Sequence, residues 1–262
     1  MKKILSVIVT LLVLTGCGSN SEDEKLIVGG STSVLPLMEE LLNGYENSGG
    51  SEVEAQGGGS GVGIKGVDNE TFDIGMVSRE LSDSEKKDKK ETVIALDGIV
   101  VIYNKNNTVK DLTLEQVKDI FTGKITNWKE VGGQDKEIAV ISREDGSGTR
   151  GAFEEIVGYD ASELIKNAEI QKATNAVIAS VEGNDNAIGY ISLGSYKDSV
   201  STMKINGVQP SIETVKNKTY AISRPFILLS KKDNDKADKL IEFILSSEGQ
   251  KIVADQKYVT VD

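Results

Sequence analysis

The stretch Leu26-Ile27-Val28-Gly29-Gly30-Ser31-Thr32-Ser33-Val34-Leu35-Pro36-Leu37-Met38 passes from a short apolar run, through two glycines and three hydroxyl side chains, into apolar residues at helical spacing. Leu26–Gly30 is expected as a strand. Val34–Tyr45 is expected as a helix whose apolar face holds Leu35, Met38, Leu41 and Leu42. The same grammar recurs at once. Glu52–Gln56 reads as a strand, Gly57-Gly58-Gly59-Ser60-Gly61 as a turn, and the residues up to Val67 as a short helix. Phe72–Val77 is a third strand, and Val93–Tyr103 is a long apolar run interrupted by Asp97-Gly98. Such βαβαβ alternation predicts an α/β domain with a mostly parallel sheet.

Further along, Thr113–Phe121 reads as a helix capped by Thr113 and stopped by Gly123. Glu137–Ser142, Ala187–Leu193 and Tyr220–Leu229 read as strands, and Thr149–Val157, Ala237–Leu245 and Glu248–Val253 as helices. Asn104-Lys105-Asn106-Asn107 is a candidate crossing into a second lobe, with a return near 205–220. The expected division is 26–103 plus 219–262 for one discontinuous lobe and 104–218 for the other.

Composition narrows the chemistry. The 262 residues carry a formal charge of −11, which disfavours the phosphate backbone of a nucleic acid. There is no histidine, so the commonest general base and metal ligand is missing. The single cysteine, Cys17, rules out an internal disulfide and, with no histidine, a Cys-His or Ser-His-Asp hydrolase.

Cys17 has its own explanation. Met1-Lys2-Lys3 precedes an apolar run from Ile4 to Leu14 that is too short to span a bilayer, and Leu14-Thr15-Gly16-Cys17 closes it. Residues 1–16 therefore read as a signal peptide whose ending resembles a bacterial lipobox, with Cys17 lipidated. Residues 17–25 form a small, polar tether. The expected location is extracytoplasmic, lipid-anchored to the outer face of the bacterial cell membrane.

Three segments share one design: Gly29-Gly30-Ser31-Thr32-Ser33, Gly57-Gly58-Gly59-Ser60-Gly61 and Asp145-Gly146-Ser147-Gly148-Thr149. Each ends a strand and opens a helix. A helix start offers unpaired N–H groups and the positive end of its dipole, glycine permits close approach, and hydroxyls add donors. One such segment is ordinary capping; three in one α/β chain point to an anion site at the carboxyl ends of the strands. No Gly-Lys-Ser/Thr pattern supports a nucleotide hydrolase. Of the 30 Lys and Arg residues only four are Arg: Arg79, Arg143, Arg150 and Arg224. Arg143 ends a strand beside the third segment, where its planar fork suits a tetrahedral oxyanion and Asp145 could hold it.

The run Ser142-Arg143-Glu144-Asp145-Gly146-Ser147-Gly148-Thr149-Arg150 resembles the signature of the phosphate-binding proteins of ABC importers, the PstS family. Gly29–Pro36, Gln56–Lys65, Phe72–Leu81, Phe121-Thr122-Gly123 with Asn127-Trp128, and Ala187-Ile188-Gly189-Tyr190 fit the same family in order. The resemblance implies a two-lobed, periplasmic-binding-protein-like (type II) fold that closes over one phosphate. It implies a monomer that needs no cofactor, metal or catalytic residue and delivers inorganic phosphate to membrane permease and ATPase subunits. By position, Ser31, Thr32 and Ser33 would serve the first loop and Ser60 the second. Arg143 would contact the anion with Asp145 orienting it, and Ser147, Gly148 and Thr149 would cap it. Where other members carry an Asp that accepts the proton of hydrogen phosphate, this chain has Ser78, followed by Arg79, which would contact the anion or close the lobes. The missing acid keeps sulfate, molybdate or tungstate open as ligands, and a phosphate-ester hydrolase remains a more distant reading. Eight to ten bonds to a charged ligand, each contributing about 1.5–3 kcal/mol, exceed an association cost of roughly 4–15 kcal/mol.

Overall fold

The computed structural model describes residues 25–261. The signal peptide, Cys17 and the rest of the expected tether up to 24 lie outside them. Strand β1 (Leu26–Gly30) leads through the first hydroxyl loop into α1 (Leu35–Asn47), then β2 (Val53–Gly57), α2 (Ser60–Asp68) and β3 (Ile74–Val77). A single turn, α3 (Asp83–Lys86), precedes the long β4 (Lys89–Tyr103). Next come β5 (Asp111–Leu112), α4 (Leu114–Phe121), β6 (Ala139–Arg143), α5 (Gly148–Val157), β7 (Glu169–Gln171), α6 (Thr174–Glu182) and β8 (Ala187–Ser192). The chain closes with β9 (Ser201–Thr202), β10 (Lys204–Ile205), α7 (Ile212–Lys216), β11 (Ser223–Lys231), α8 (Asp235–Leu245) and α9 (Ser247–Asp255).

Among the described residues one ladder runs β2-β1-β3-β11-β4-β8-β6-β7, with β9 also on β4. Its two flanks are parallel, β1 with β2 and β3, and β6 with β7 and β8. The centre is antiparallel, because β11 runs back between β3 and β4, and β4 opposes β8. A mostly parallel sheet was the expectation; the returning strand makes it mixed. Strand β4 changes partner midway: Lys89–Gly98 lies on β11 and Ile99–Tyr103 on β8. Its 15 residues, about 50 Å of extended chain at roughly 3.3 Å each, thus belong to both halves of the ladder. The change of partner falls at Gly98–Ile99, ahead of Asn104–Asn107.

Each lobe has its own core. Leu37, Met38 and Leu41 of α1, led in by Pro36 in the first turn, pack with Val28, Ile74, Met76, Phe226 and Leu240. Each such side chain contributes roughly 1.5–3 kcal/mol relative to exposure. In the other lobe, Phe121, Trp128, Phe153, Tyr190 and Tyr220 fill one face of the sheet. Val177, Ile178 and Val181 of α6 cover the other face, against Val100, Ile102 and Ile141. Helix α4 follows its sequence closely: Thr113 and Gln116 form a reciprocal capping box at 3.1 and 2.8 Å, and Gly123 ends it at φ 78°. The short β5, β7, β9, β10, α3 and α7 escape periodicity because two to five residues hold less than one repeat of it.

Candidate anion-binding site

Strands β1 and β3 run with β4 and β6 runs against it, so their carboxyl ends face each other across the point where β4 changes partner, and the loops after them meet there. Ser78 follows β3 directly. Its hydroxyl accepts from Ser31 Oγ at 2.8 Å and lies 3.3 Å from Ser60 Oγ, while its N–H donates to Ser60 Oγ at 3.1 Å. The Ser33 N–H donates to Ser31 Oγ at 3.2 Å. Ser31, Ser33, Ser60 and Ser78 are all buried, so four hydroxyls from three separate parts of the chain form one cluster out of water.

The second lobe meets this cluster from the opposite side. Ser33 Oγ is 2.7 Å from Thr149 Oγ1 and 3.3 Å from Thr174 Oγ1. Arg143 Nη2 donates to Thr32 Oγ1 at 3.0 Å, and the Gly61 N–H donates to the Gly146 carbonyl at 3.0 Å. Ser147 caps α5, its Oγ accepting from the Arg150 N–H at 3.4 Å. Glycine is required next to it: a Cβ on Gly148 would run into Ser60 Oγ and Ser78 Oγ. The starts of α1, α2, α5 and α6 therefore meet at one buried cluster of hydroxyls, with their dipoles' positive ends turned towards it.

Arg143 supplies full charge there. It is 2% exposed. Its Nε donates to Glu144 Oε2 at 2.8 Å and to the Gln171 carbonyl at 3.2 Å, and its Nη2 donates to Glu144 Oε1 at 2.9 Å. Behind it, Tyr190 OH lies 2.8 Å from Ser142 Oγ and accepts from the Arg143 N–H at 3.3 Å. The Tyr190 ring stacks on Phe153 at 4.0 Å, and Phe121 meets Phe153 edge-on at 4.8 Å. Burial pushes the Tyr190 hydroxyl up, keeping it a neutral partner. The aromatic stack thus fixes the end of β6, and with it the guanidinium.

Such a cradle for a small tetrahedral anion has close relatives. Residues 15–248 match the model of the PBP superfamily domain, and residues 1–17 match the prokaryotic membrane lipoprotein lipid attachment site. The phosphate-binding protein PstS of Borreliella burgdorferi is 30% identical over 278 residues, covering 100% of this chain and 99% of its own. This chain belongs to the PstS family. A Clostridium perfringens protein, assigned as a phosphate ABC transporter substrate-binding protein and solved with bound phosphate, is 48% identical. It superposes with a TM-score of 0.89, covering 91% of this chain and 100% of its own. An ABC-type phosphate transport receptor from Vibrio cholerae is 34% identical with a TM-score of 0.76, covering 90% and 100%. The family's two-lobed fold is the one described above.

Within this PstS-family frame two expectations change. Asp145, expected to orient Arg143, is exposed, and the carboxylate bonded to Arg143 is that of Glu144. The turn at Gly146, with φ 82°, follows Asp145 and leaves Glu144 as the acid beside the guanidinium. Arg79 is gripped by Glu85, its Nη1 and Nη2 donating to Oε2 and Oε1 at 2.9 and 2.8 Å. That bond holds the Glu85 carboxyl down at about 2. The Arg79 stem lies against α5, since a Cβ on Gly151 would sit 3.3 Å from its Cδ.

Three further residues, Thr174, Arg224 and Asp97, are given no role by the sequence alone. Thr174 begins α6, whose Val177, Ile178 and Val181 carry a helical spacing that would have revealed it. Arg224 and Asp97 form a buried ion pair, Nε and Nη2 donating to Oδ2 at 3.1 and 3.0 Å. Arg224 Nη1 also donates to the Ser78 carbonyl at 3.1 Å. Among the described residues no helix is long and apolar enough to cross a membrane.

Proposed function

We propose that this chain captures inorganic phosphate between its two lobes and delivers it to an ABC importer. The observation that carries the reading is the convergence of the buried hydroxyls of Ser31, Ser33, Ser60, Ser78 and Thr149 with Arg143 where helix starts from both lobes meet. In this reading Thr32, Ser147 and Gly148 complete the contacts, Glu144 orients Arg143, and Arg79 latches the lobes through α5. The names and bound phosphate of the relatives support the ligand. Cys17 carries the lipid, holding a monomer at the outer face of the membrane near permease and ATPase subunits. The chain acts by binding, without catalysis, in keeping with the substrate-binding role its relatives' names state. In this reading the lobes are 26–98 plus 223–262 and 99–222, a few residues from the expected 26–103 plus 219–262 and 104–218, because Ile99–Tyr103, Tyr220 and Ile222 pack in the second lobe's core; the chain crosses within β4 and again just before β11.

Calorimetry on the full chain in detergent tests the ligand: micromolar or tighter phosphate binding is expected, and none in that range would overturn the proposal. A second reading, another tetrahedral oxyanion such as sulfate, draws on Ser78, which brings a hydroxyl where an acid would repel a fully ionised anion. Replacing Ser78→Asp is expected to raise the preference for phosphate over sulfate by at least about tenfold, or about 1.4 kcal/mol. An unchanged ratio would show that Ser78 does not read the anion's proton.

A further inference from the structure

Arg224 and Asp97 are almost wholly buried, at 3% and 1% exposure, and lie opposite each other in register on β11 and β4. Taking two charges out of water is costly, and such a pair is often no more stabilising than apolar residues of the same size. Its location suggests a use. Asp97 is the last residue but one of β4 before that strand leaves β11 for β8. Its other oxygen, Oδ1, accepts from the hydroxyl of Ser192, the final residue of β8, at 2.8 Å. The carboxylate therefore ties together the three strands that meet at the seam between the lobes.

Arg224 carries that tie to the anion site. The β3–β11 ladder ends with Val77 opposite Ile227, and beside it β11 shifts register on β4 between Phe226 and Ile227. Ser78 is thus the first residue past the ladder, and its carbonyl is taken by a side chain, Arg224 Nη1 at 3.1 Å. The same guanidinium lies 5.4 Å from the Phe226 ring centroid, which with Asp97 fixes its plane. A peptide held this way aims the Ser78 hydroxyl at Ser31 and Ser60.

We infer that Asp97 and Arg224 form a positioning pair that sets the Ser78 hydroxyl for anion recognition and links its placement to the strands joining the lobes. The inference rests on the phosphate-capture reading and deepens it. Arg224 acts through Ser78, as a positioning residue outside the anion's own contacts. Its removal is therefore expected to alter discrimination between anions as well as affinity, and the alteration should vanish once Ser78 is gone.

The test is a cycle on the full chain in detergent. Phosphate and sulfate binding are titrated for wild type, Arg224→Met, Arg224→Lys, Ser78→Ala and Arg224→Met with Ser78→Ala, with folded fraction followed by urea unfolding. Arg224→Met is expected to weaken phosphate binding about tenfold, about 1.4 kcal/mol, and to change the phosphate-to-sulfate ratio. Arg224→Lys should restore part of both, and Arg224→Met should add little on top of Ser78→Ala. Lower stability with wild-type affinity and ratio in the folded fraction would make the pair merely structural and overturn the inference. So would full additivity of the Arg224 and Ser78 effects. Should the Arg224 variants not fold, Ser192→Ala loosens Asp97 and leaves both charges paired: a two- to threefold weaker Kd, roughly 0.5 kcal/mol, supports the inference and an unchanged Kd sinks it. If wild type binds neither anion, the phosphate-capture reading itself has failed, which is a distinct result.

Discussion

Arg143 and Arg224 share one chemistry, a guanidinium out of water beside a carboxylate, and differ in what surrounds it. Arg143 pairs with its chain neighbour Glu144, whose side chain keeps 19% exposure, and extends Nη2 to Thr32 in the other lobe. Arg224 pairs with Asp97, 127 residues away and wholly buried, and its remaining Nη1 holds a backbone carbonyl. Burial pushes the Arg224 guanidinium down and the Asp97 carboxyl up, and each is partly offset by the other's charge. A guanidinium with a local, partly wet partner can exchange contacts with a ligand. One locked to a distant, dry partner can only hold the scaffold. Two arginines of equal burial thus do unlike work.

The comparison can be broken at several points. The largest effect is expected from Asp97→Ala, which strands Arg224 as an unpaired buried charge and should cost about 3–5 kcal/mol of stability. Urea unfolding would measure it, and a loss near zero would show that Arg224 finds water or another acid. Arg143→Ala should act on binding instead. Affinity for phosphate is expected to fall by about 1.5–3 kcal/mol, the worth of a charge-assisted bond, with a smaller loss of stability than Asp97→Ala. Equal losses of stability in the two variants would erase the distinction.

The smallest effect belongs to a third arginine, the half-buried Arg79, whose pair with Glu85 is expected to contribute only about 0.2–1 kcal/mol. Because the folded Glu85 is held at about 2, the contribution is present above the ordinary glutamate range and is lost as pH falls towards that value. Comparing wild type with Glu85→Gln across that window should show the difference closing in acid. A difference that widens in acid would mean Glu85 is not stabilised as its ion.

The contrast also explains what the sequence made legible. Ser147-Gly148-Thr149 was readable because a cap, a close-approach glycine and a hydroxyl are all local signals, and α5 starts there. Thr113, Gln116 and Gly123 marked α4 for the same reason. Choosing between Glu144 and Asp145 as the partner of Arg143 needed the backbone angle at Gly146, which adjacency does not supply. Asp97 stood out as an acid interrupting an apolar run and Arg224 as one of only four arginines. Their pairing depends on register between strands 127 residues apart, which no local pattern encodes. The same limit hid the mixed sheet, since a strand's direction is set by the path of the whole chain rather than by its own residues.

The shared strand β4 has a mechanical consequence. A rod that is woven into the fabric at both ends cannot serve as a loose tether; any relative motion of the lobes would have to include torsion near Gly98, where its partner changes. Torsion is elastic and returns what it stores, so the two halves come back to one angle, guided by the rod itself instead of by chance encounter.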